Sequence, residues 1–394
     1  MAYCGKTLLI ATLLFVSSTG FALNWIDGGE FGTSDGGFGG TYVTSCYDIS
    51  TSQIVATWGD GNGLPHYATF DGTTWTDGGE FAISHPYHDN IFCGYNSTMS
   101  QVVATWADVS DMNYLGSASF QSGTWTVLNE INSSVFVDAY PCHYDNANNQ
   151  VVATWADSTM PHNPHYATFN GTVWTDGGTF ATSGGGVGSF TGEVFSCYDS
   201  TTSTLVATWT DSMGSPHYAT FDGTMWTDGG EFLPLVGSIS DVFPCFDNGI
   251  NQVVATWQDG TGSPHSATFD GTMWTDGGAF ASTAGANSDI LACFDSSINQ
   301  LVATWSDSSG FPHYATFDGT TWTDGGEFAT SNGGSNFSVV FPCYDSAIGQ
   351  VVATWEDHDG FAHYAYTFTP TPPSTLDRAF QRPSNNRGNR PPPP

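Results

Sequence analysis

The chain has 394 residues and a strongly acidic balance, with 38 Asp and Glu against 5 Lys and Arg and a formal net charge of −33 at pH 7. The basic residues all lie outside residues 24–368: they are Lys6, Arg378, Arg382, Arg387 and Arg390. A central region without a basic side chain excludes nucleic acid as a partner, because Lys and Arg supply most of that affinity by neutralising phosphates. Binding to an anionic membrane surface is disfavoured for the same reason.

Residues 1–22 have the pattern of a secretory signal peptide. Lys6 precedes an apolar stretch from Leu8 to Val16, and Gly20-Phe21-Ala22 fits a small-x-small cleavage site. That stretch is too short to span a bilayer, and no later segment is apolar enough to do so. We therefore expect a soluble mature protein without membrane insertion, secreted to the extracellular space, or periplasmic if the source is bacterial.

Two tryptophan-centred phrases recur seven times each and together contain all 14 tryptophans. The phrase V-A-T-W ends, at intervals of 48 to 54 residues, at Trp58, Trp106, Trp155, Trp209, Trp257, Trp305 and Trp355. The phrase W-T-D-G-G, with variations, contains Trp25, Trp75, Trp125, Trp174, Trp226, Trp274 and Trp322. A fixed period of this size, made of short strand-like runs and turns, is typical of a β-propeller with one blade per repeat.

The repeat from Glu193 to Gly230 shows how one blade is expected to fold. It contains four strand-like runs, at 194–198, 205–209, 217–221 and 224–227. Asp222-Gly223 separates the last two runs, and Asp-Gly between β-rich runs is a strong signal for a tight hairpin. The sequence therefore predicts four antiparallel strands per blade and nothing helical in the repeat region.

The two ends of the repeat region predict how the ring closes. The region opens with a lone fourth-strand phrase at Asn24 and closes with a three-strand repeat that ends at Phe368. We therefore predict an all-β, seven-bladed β-propeller of four-stranded antiparallel blades over residues 23–368, with the N-terminal strand completing the last blade. Residues 369–394 are Pro-rich and basic and too poor in apolar residues to bury a core, so we expect a disordered tail.

One cysteine falls in the first strand of each blade, and we place all of them at the same position of that strand: Cys46, Cys93, Cys142, Cys197, Cys245, Cys293 and Cys343. An odd number with one per blade does not suit a disulfide framework. Equivalent positions in adjacent blades should also lie beyond the ~7 Å Cα separation that a bridge allows. We interpret these cysteines as buried small apolar residues, with a metal or redox role as the alternative.

An Asp follows each V-A-T-W phrase, and in six blades a His begins the third strand. The candidate ligand-binding residues are the pairs Asp60 and His66, Asp157 and His165, Asp211 and His217, Asp259 and His265, Asp307 and His313, and Asp357 and His363. Blade 2 has Asp108 but Gly116 in place of the His.

Two interpretations of these pairs stay open. They could form repeated shallow pockets for a neutral sugar between blades, with Trp or Tyr as a stacking platform. Alternatively, the Asp caps its loop, the His bonds back to that Asp, and the aromatic rings are buried between blades. For the tryptophans we favour burial, because aromatic side chains dominate such cores.

The connections from the fourth strand to the next blade vary most, and binding usually resides in variable loops on a rigid scaffold. One of them contains His85, His88 and Asp89, which could ligate a transition metal. No organic cofactor is expected, and calcium is the candidate ion for so acidic a surface. Asp and Glu are so abundant that a pair at glycosidase spacing carries little information about catalysis.

The run V-A-T-W-x-D, followed by H-Y-A-T-F-D-G-T-x-W-T, resembles the sialidase-like propeller repeats called BNR or Asp-box repeats. It is also similar, less closely, to seven-bladed sugar-binding propeller lectins. The resemblance covers residues 24–368, although the strict order S-x-D-x-G-x-T-W does not occur. Sialidases of this kind bind the substrate carboxylate with three arginines. No arginine exists in this region, so sialidase activity is rejected.

Three hypotheses of function follow from the sequence. The first is a secreted, non-enzymatic binding propeller that recognises a neutral glycan or an extracellular surface protein through loops on one face. The second is a glycoside hydrolase or lyase that uses carboxylates alone. The third is a structural protein that self-associates by docking its basic tail on the acidic propeller of another copy. Propellers host many functions, so the fold cannot choose among the three.

Overall fold

A computed structural model describes residues 23–32, 42–82, 90–108, 114–128, 131–132, 141–157, 161–182, 186–187, 193–233, 240–329, 339–357 and 359–368. Within these ranges the regular secondary structure is entirely β, as 29 strands and their turns. None of the described residues belongs to a helix long and apolar enough to cross a membrane.

The strands form seven sheets, which are the seven blades. Blade 1 contains β2 (Thr44–Asp48), β3 (Gln53–Gly59), β4 (Pro65–Phe70) and β5 (Trp75–Glu80). Blade 2 contains β6 (Ile91–Asn96), β7 (Gln101–Asp108), β8 (Tyr114–Gln121), β9 (Thr124–Val127) and β10 (Ile131–Asn132). Blade 3 contains β11 (Cys142–Asp145), β12 (Gln150–Ala156), β13 (Pro164–Phe169) and β14 (Trp174–Thr179).

The remaining blades repeat this order. Blade 4 contains β15 (Phe195–Asp199), β16 (Thr204–Thr210), β17 (Pro216–Phe221) and β18 (Trp226–Glu231). Blade 5 contains β19 (Phe243–Asp247), β20 (Gln252–Gln258), β21 (Pro264–Phe269) and β22 (Trp274–Ala279). Blade 6 contains β23 (Leu291–Asp295), β24 (Gln300–Ser306), β25 (Pro312–Phe317) and β26 (Trp322–Glu327). Blade 7 contains β27 (Phe341–Asp345), β28 (Gln350–Glu356) and β29 (Ala362–Phe368), and is completed by β1 (Asn24–Gly32).

The predicted fold and its closure are confirmed. The strands pair antiparallel, in chain order in blades 1 and 3 to 6. In blade 2 both β9 and β10 pair with β8, and blade 7 has the order β1-β29-β28-β27. In that blade Trp25 lies opposite Thr367 and Asp27 lies opposite Ala365. The first strands of neighbouring blades approach one another around the central axis, with Cα atoms of β2 and β6 within 8 Å. The two ends of the repeat region are thus held in one sheet, and β1 covers the edge of β29 that would otherwise be unpaired.

The V-A-T-W phrase forms the second strand of each blade, which is buried between neighbouring sheets. Its Thr hydroxyl connects blades by donating a hydrogen bond to a backbone carbonyl of the next blade. Thr154 donates to Val194 O at 2.6 Å, and Thr208 donates to Val242 O at 2.7 Å. Thr354 donates to Val43 O at 2.9 Å, which joins the last blade to the first. Each such bond satisfies a buried hydroxyl and fixes the spacing between sheets.

The W-T-D-G-G phrase forms the fourth strand and contains a β-bulge at its first Gly. In blade 1, Tyr67 lies opposite Gly79 and Ala68 lies opposite Asp77, so Gly78 is the extra residue. A Cβ on Gly78 would lie 2.0 Å from Cζ of Tyr67, so only Gly leaves room for that ring. The second Gly, Gly79, has φ +78°, which L side chains rarely adopt. Both glycines are therefore required by the packing and backbone of this strand.

The cysteines depart from the expected arrangement. In five blades the Cys lies two residues before the Asp or equivalent that ends the first strand, and Cys197 accordingly pairs with Val206. Cys93 and Cys142 lie one residue earlier and pair with Ala104 and Ala153. Successive side chains on a strand point to opposite faces. The expectation that all seven occupy the same position is therefore wrong for blades 2 and 3.

Candidate functional site

The loop Asp after V-A-T-W caps its own loop. Asp60 Oδ1 accepts the backbone N–H groups of Asn62 and Leu64, both at 2.8 Å. The equivalent aspartates accept the corresponding pair of N–H groups at 2.8 to 3.1 Å: Asp211, Asp259, Asp307 and Asp357. Asp157 donates its own N–H to Asn163 O at 2.9 Å in the corresponding turn. The capping interpretation is confirmed for the aspartates whose carboxylates accept these N–H groups, namely Asp60, Asp211, Asp259, Asp307 and Asp357.

The nearest hydrogen-bond partner of most of the histidines is an Asp of the fourth strand. In five blades His Nε2 bonds Oδ1 of the Asp in W-T-D-G-G, and a carboxylate can only accept, so the ring nitrogen donates. The distances are 2.7 Å for His66–Asp77, His165–Asp176 and His313–Asp324, and 2.8 Å for His265–Asp276 and His363–Asp27. Only His217 is closest to its loop Asp, with Nε2 3.1 Å from Asp211 Oδ2. In three of the five blades His Nδ1 also lies 3.5 to 3.6 Å from Oδ2 of the loop Asp, in the pairs His265–Asp259, His313–Asp307 and His363–Asp357. The interpretation in which His bonds back to the loop Asp is thus supported in part, with the fourth-strand Asp as the nearer partner in these blades.

Each His ring also lies against the Trp of its own blade. Trp58 and His66 have ring centroids 4.8 Å apart, and the same separation occurs in blades 3, 5, 6 and 7. The V-A-T-W tryptophans are at most 5% exposed, which confirms their predicted burial. The His rings are covered as well, whereas the fourth-strand carboxylates are 29–49% exposed. A ligand at these positions would therefore contact the carboxylates first. Whether the Asp/His pairs bind a ligand stays a prediction.

Sequence reasoning missed these fourth-strand aspartates, although the signal was present in the repeat. Blade 2 has Gly116 opposite Trp106 where blade 1 has His66 opposite Trp58. The same blade has Val127 opposite Ala118 where blade 1 has Asp77 opposite Ala68. The His and the fourth-strand Asp are thus lost together, which marks them as partners.

The junctions between blades fall into two kinds, according to the third-strand residue beside the bulge. In five junctions this residue is a Tyr whose ring packs edge-on against the fourth-strand Trp of the next blade, with centroids 5.6 to 5.7 Å apart: Tyr67–Trp125, Tyr166–Trp226, Tyr218–Trp274, Tyr314–Trp25 and Tyr364–Trp75. In the other two junctions it is a Ser. Trp174 Nε1 then donates to Ser117 Oγ at 3.0 Å, and Trp322 Nε1 donates to Ser266 Oγ at 2.9 Å.

The junction between blades 5 and 6 contains an open cleft of about 480 Å³. Ser266 leaves the space that a Tyr ring fills elsewhere. Ala279, opposite His265, also replaces the larger Glu that lies opposite His66 and His217. The cleft is lined by side chains of both blades, among them Thr268, Thr275, Asp276, Thr320, Trp322 and Asp324. One partly exposed indole therefore shares a cleft with hydroxyl groups and two carboxylates.

The carboxylates of this cleft are fixed by their histidines. Asp276 Oδ1 accepts from His265 Nε2 and from the N–H of Gly278, both at 2.8 Å, and Asp324 Oδ1 accepts from His313. Partial burial raises the pKa of Asp276, but the hydrogen bonds from His265 and Gly278 outweigh it and the net pKa is lowered. Asp276 therefore stays ionised at neutral pH and acts as a hydrogen-bond acceptor.

The predicted metal ligands His85, His88 and Asp89 lie outside the described residues. Among the residues that are described, no group of three or more His, Cys, Asp or Glu side chains has the geometry to hold a metal ion.

No protein-family model matches this sequence, and no curated protein matches it. Among solved structures, the chain is similar to the BP39L lectin from Burkholderia pseudomallei, with 14% identity, a TM-score of 0.70, and coverage of 84% of this chain and 97% of that one. It is also similar to the Aleuria aurantia lectin, a six-bladed propeller that was solved with α-methyl-L-fucoside. In that comparison the identity is 16%, the TM-score is 0.53, and the coverage is 76% of this chain and 99% of that one. The SapL1 lectin, solved with α-methyl fucoside, is similar as well, with 13% identity, a TM-score of 0.52, and coverage of 74% of this chain and 97% of that one. At such low identity these similarities show the propeller fold alone, and the resemblance to Asp-box repeats stays a prediction.

Proposed function

We propose that this protein is a secreted, non-enzymatic propeller that binds a neutral glycan in the cleft between blades 5 and 6. The observation that carries the proposal is the cleft itself, in which Trp322, several hydroxyls and two fixed carboxylates face a space of about 480 Å³. Sites for small polar ligands combine apolar surface with a few well-placed polar groups in this way. That the similar solved structures are lectins adds support.

The negative charge of the protein favours a neutral sugar over an anionic one. No Lys or Arg occurs between residues 24 and 368, and Asp276 and Asp324 both line the cleft. A sialic or uronic acid would meet like charges without a cationic partner, which costs affinity. A neutral pyranose instead offers hydroxyl donors to the carboxylates. Two of the similar structures were solved with α-methyl fucosides, so fucosides come first among the sugars to test.

The repeat itself supplies the variant that tests this site. Ser266→Tyr restores the residue found at five other junctions, so the fold should tolerate it while the new ring fills the cleft. A glycan array identifies the best neutral sugar, and isothermal titration calorimetry then measures its affinity and stoichiometry. We expect one site per chain in the unaltered protein and at least a tenfold weaker Kd in Ser266→Tyr.

Tyr218→Ser is the converse variant, because it should open an equivalent space between blades 4 and 5. Retained affinity in Ser266→Tyr would contradict the proposed cleft. Several weak sites per chain, unaffected by Ser266→Tyr, would instead favour the repeated Asp/His loops as the binding groups. Binding of a surface protein with no response to any glycan would contradict glycan recognition as such.

A glycoside hydrolase would require a different protonation state of the carboxyl groups in the same cleft. Glycoside hydrolysis needs one protonated carboxyl group to donate to the leaving oxygen. The lowered pKa of Asp276 disfavours that role for this carboxyl. Release of reducing sugar from the bound glycan by the pure protein would overturn the non-enzymatic proposal.

A further inference from the structure

The shifted cysteines of blades 2 and 3 face backward, toward the preceding blade. Cys93 Sγ lies 3.6 Å from Val55 O in blade 1, and Cys142 Sγ lies 3.6 Å from Val103 O in blade 2. Val55 is the residue that pairs with Cys46 across β2 and β3. Cys93 therefore lies over the strand position of Cys46. Since Cys46 keeps the ordinary register, two thiols from neighbouring blades meet at this junction.

The junction between blades 2 and 3 has the same arrangement, except that Gly94 occupies the position that Cys46 has in the first junction. The distance from Gly94 to Cys142 therefore indicates the distance between the positions of Cys46 and Cys93. Gly94 pairs with Val103 as Cys46 pairs with Val55, and Gly94 faces Cys142 as Cys46 faces Cys93. A Cβ placed on Gly94 would lie 3.4 Å from Cys142 Sγ. In a disulfide with an S–S bond of ~2.04 Å, the Cβ of one cysteine lies ~3.0 Å from the Sγ of the other, so a small side-chain movement at these positions would allow a bridge. The matching 3.6 Å contacts of Cys93 and Cys142 place the two thiols in the same position relative to the preceding blade.

We propose that Cys46 and Cys93 form a disulfide between blades 1 and 2 when the protein meets a low-molecular-weight disulfide. A thiolate of one cysteine attacks the small disulfide and releases one small thiol, and the second cysteine then displaces the other. Two protein thiols are oxidised to one S–S bond, and one small disulfide is reduced to two thiols. Both cysteines are free and partly exposed in the structure, and both line a cavity of about 330 Å³ that would admit the reagent.

The bridge should form slowly at neutral pH and faster in mild alkali. Burial, together with the neighbouring Cys93 side chain, raises the pKa of the Cys46 thiol well above its usual value. Only the thiolate attacks a disulfide, so alkaline conditions increase the reactive fraction. The cysteines that share the ordinary register, such as Cys197 and Cys245, have no offset partner and should stay reduced.

The test is peptide mapping of the full-length protein after incubation with oxidised glutathione at about pH 8.5. Free thiols are blocked in acid, and the chain is cleaved before Asp, because it has only 5 Lys and Arg for trypsin. We expect a linked pair of peptides containing Cys46 and Cys93, lighter by two hydrogen atoms than the reduced pair. The oxidised protein should also melt at a higher temperature than the reduced protein, since the bridge closes a long loop.

Gly94→Cys is the matched control, because it supplies the missing partner of Cys142 and should create a second linked pair there. Cys46→Ser should abolish the first pair and leave Cys93 free or carrying glutathione. Complete blocking of Cys46 and Cys93 in the unaltered protein would overturn the proposal. A link between Cys93 and Cys142, or glutathione on Cys46 and Cys93 without a link between them, would overturn it equally. The unaltered protein alone decides the question if Gly94→Cys does not fold.

Discussion

Trp25 tests how strongly the N-terminal strand closes the ring. Its indole stacks on Phe328 of the neighbouring blade with centroids 4.2 Å apart and meets the edge of Tyr314 at 5.6 Å. The Tyr314 hydroxyl also donates to Leu23 O at 3.1 Å, so this strand is held by a blade that ends about 300 residues later in the chain. Trp25→Ala removes the aromatic contacts and leaves a gap between blades 6 and 7.

The expected loss of unfolding free energy in Trp25→Ala follows from these contacts. Trp→Ala in a protein core costs about 3–5 kcal/mol, from lost transfer free energy and the cavity left behind. The Trp25 side chain is only partly buried, so we expect the lower end, about 3 kcal/mol of unfolding free energy. Guanidinium unfolding followed by far-UV circular dichroism measures the difference.

Trp125→Ala is the matched control inside the ring. Trp125 stacks on Phe81 at 4.1 Å and meets the edge of Tyr67 at 5.6 Å, which reproduces the surroundings of Trp25. If β1 is as firmly bound as an internal strand, the two variants lose similar amounts. A loss of about 3 kcal/mol for Trp125→Ala with almost none for Trp25→Ala would refute the reasoning, because β1 would then be detached in solution.

Two further predictions concern charge. Burial raises the pKa of Asp289 to about 6, so this carboxyl destabilises the fold when it ionises. Asp289→Asn should therefore stabilise the protein by at most about 3 kcal/mol at pH 8, with the gain vanishing as the pH falls through 6 toward 4. Each measurement is compared with the unaltered protein at the same pH, so that the contributions of the other titratable groups cancel. An Asp289→Asn gain that is constant from pH 8 to pH 4 would contradict this account. Millimolar calcium chloride should raise the melting temperature more than sodium chloride at equal ionic strength, because an ion that binds only the folded state stabilises it. Equal shifts in melting temperature with the two salts would mean that both act only by screening the charge of the acidic surface.

The fold could be predicted from the sequence because each blade repeats its own boundary signals. Turn pairs such as Asp222-Gly223 end the third strand, and the fourth strand then begins at Trp226. The closure was also readable, since one unpaired fourth strand at Asn24 and one three-stranded repeat ending at Phe368 can complete only each other. Local turn chemistry and strand count thus determine this architecture without any knowledge of long-range packing.

The site could not be predicted in the same way, because it depends on register. The hydrogen bond from His66 to Asp77 joins neighbouring strands across a bulge, and the bulge decides which residue lies opposite which. Likewise, Ser266 matters only because the residue at its position fills the junction with the next blade elsewhere. A one-residue shift also turned Cys93 to the other face of its strand, which counting cysteines per repeat did not reveal.

Blade 2 shows why the parts of the fourth-strand phrase belong together. It lacks the His, the bulge Tyr and the fourth-strand Asp, where it has Gly116, Ser117 and Val127. Leu128 follows in place of the first bulge Gly, and the fourth strand is divided into β9 and β10, which both pair with β8. The pairing of β8 with β9 has no register shift, so no bulge requires the first Gly in this blade. Without the Asp, no His is held against the Trp. A Cβ on Gly116 would lie 2.1 Å from Trp106 Nε1, so the indole has moved into the vacated space. Blade 5 replaces the Tyr by Ser266 and the Glu by Ala279 but keeps His265, Asp276 and both glycines. Its cleft therefore opens against a strand with the ordinary bulge and His–Asp pair, as a rigid binding site requires.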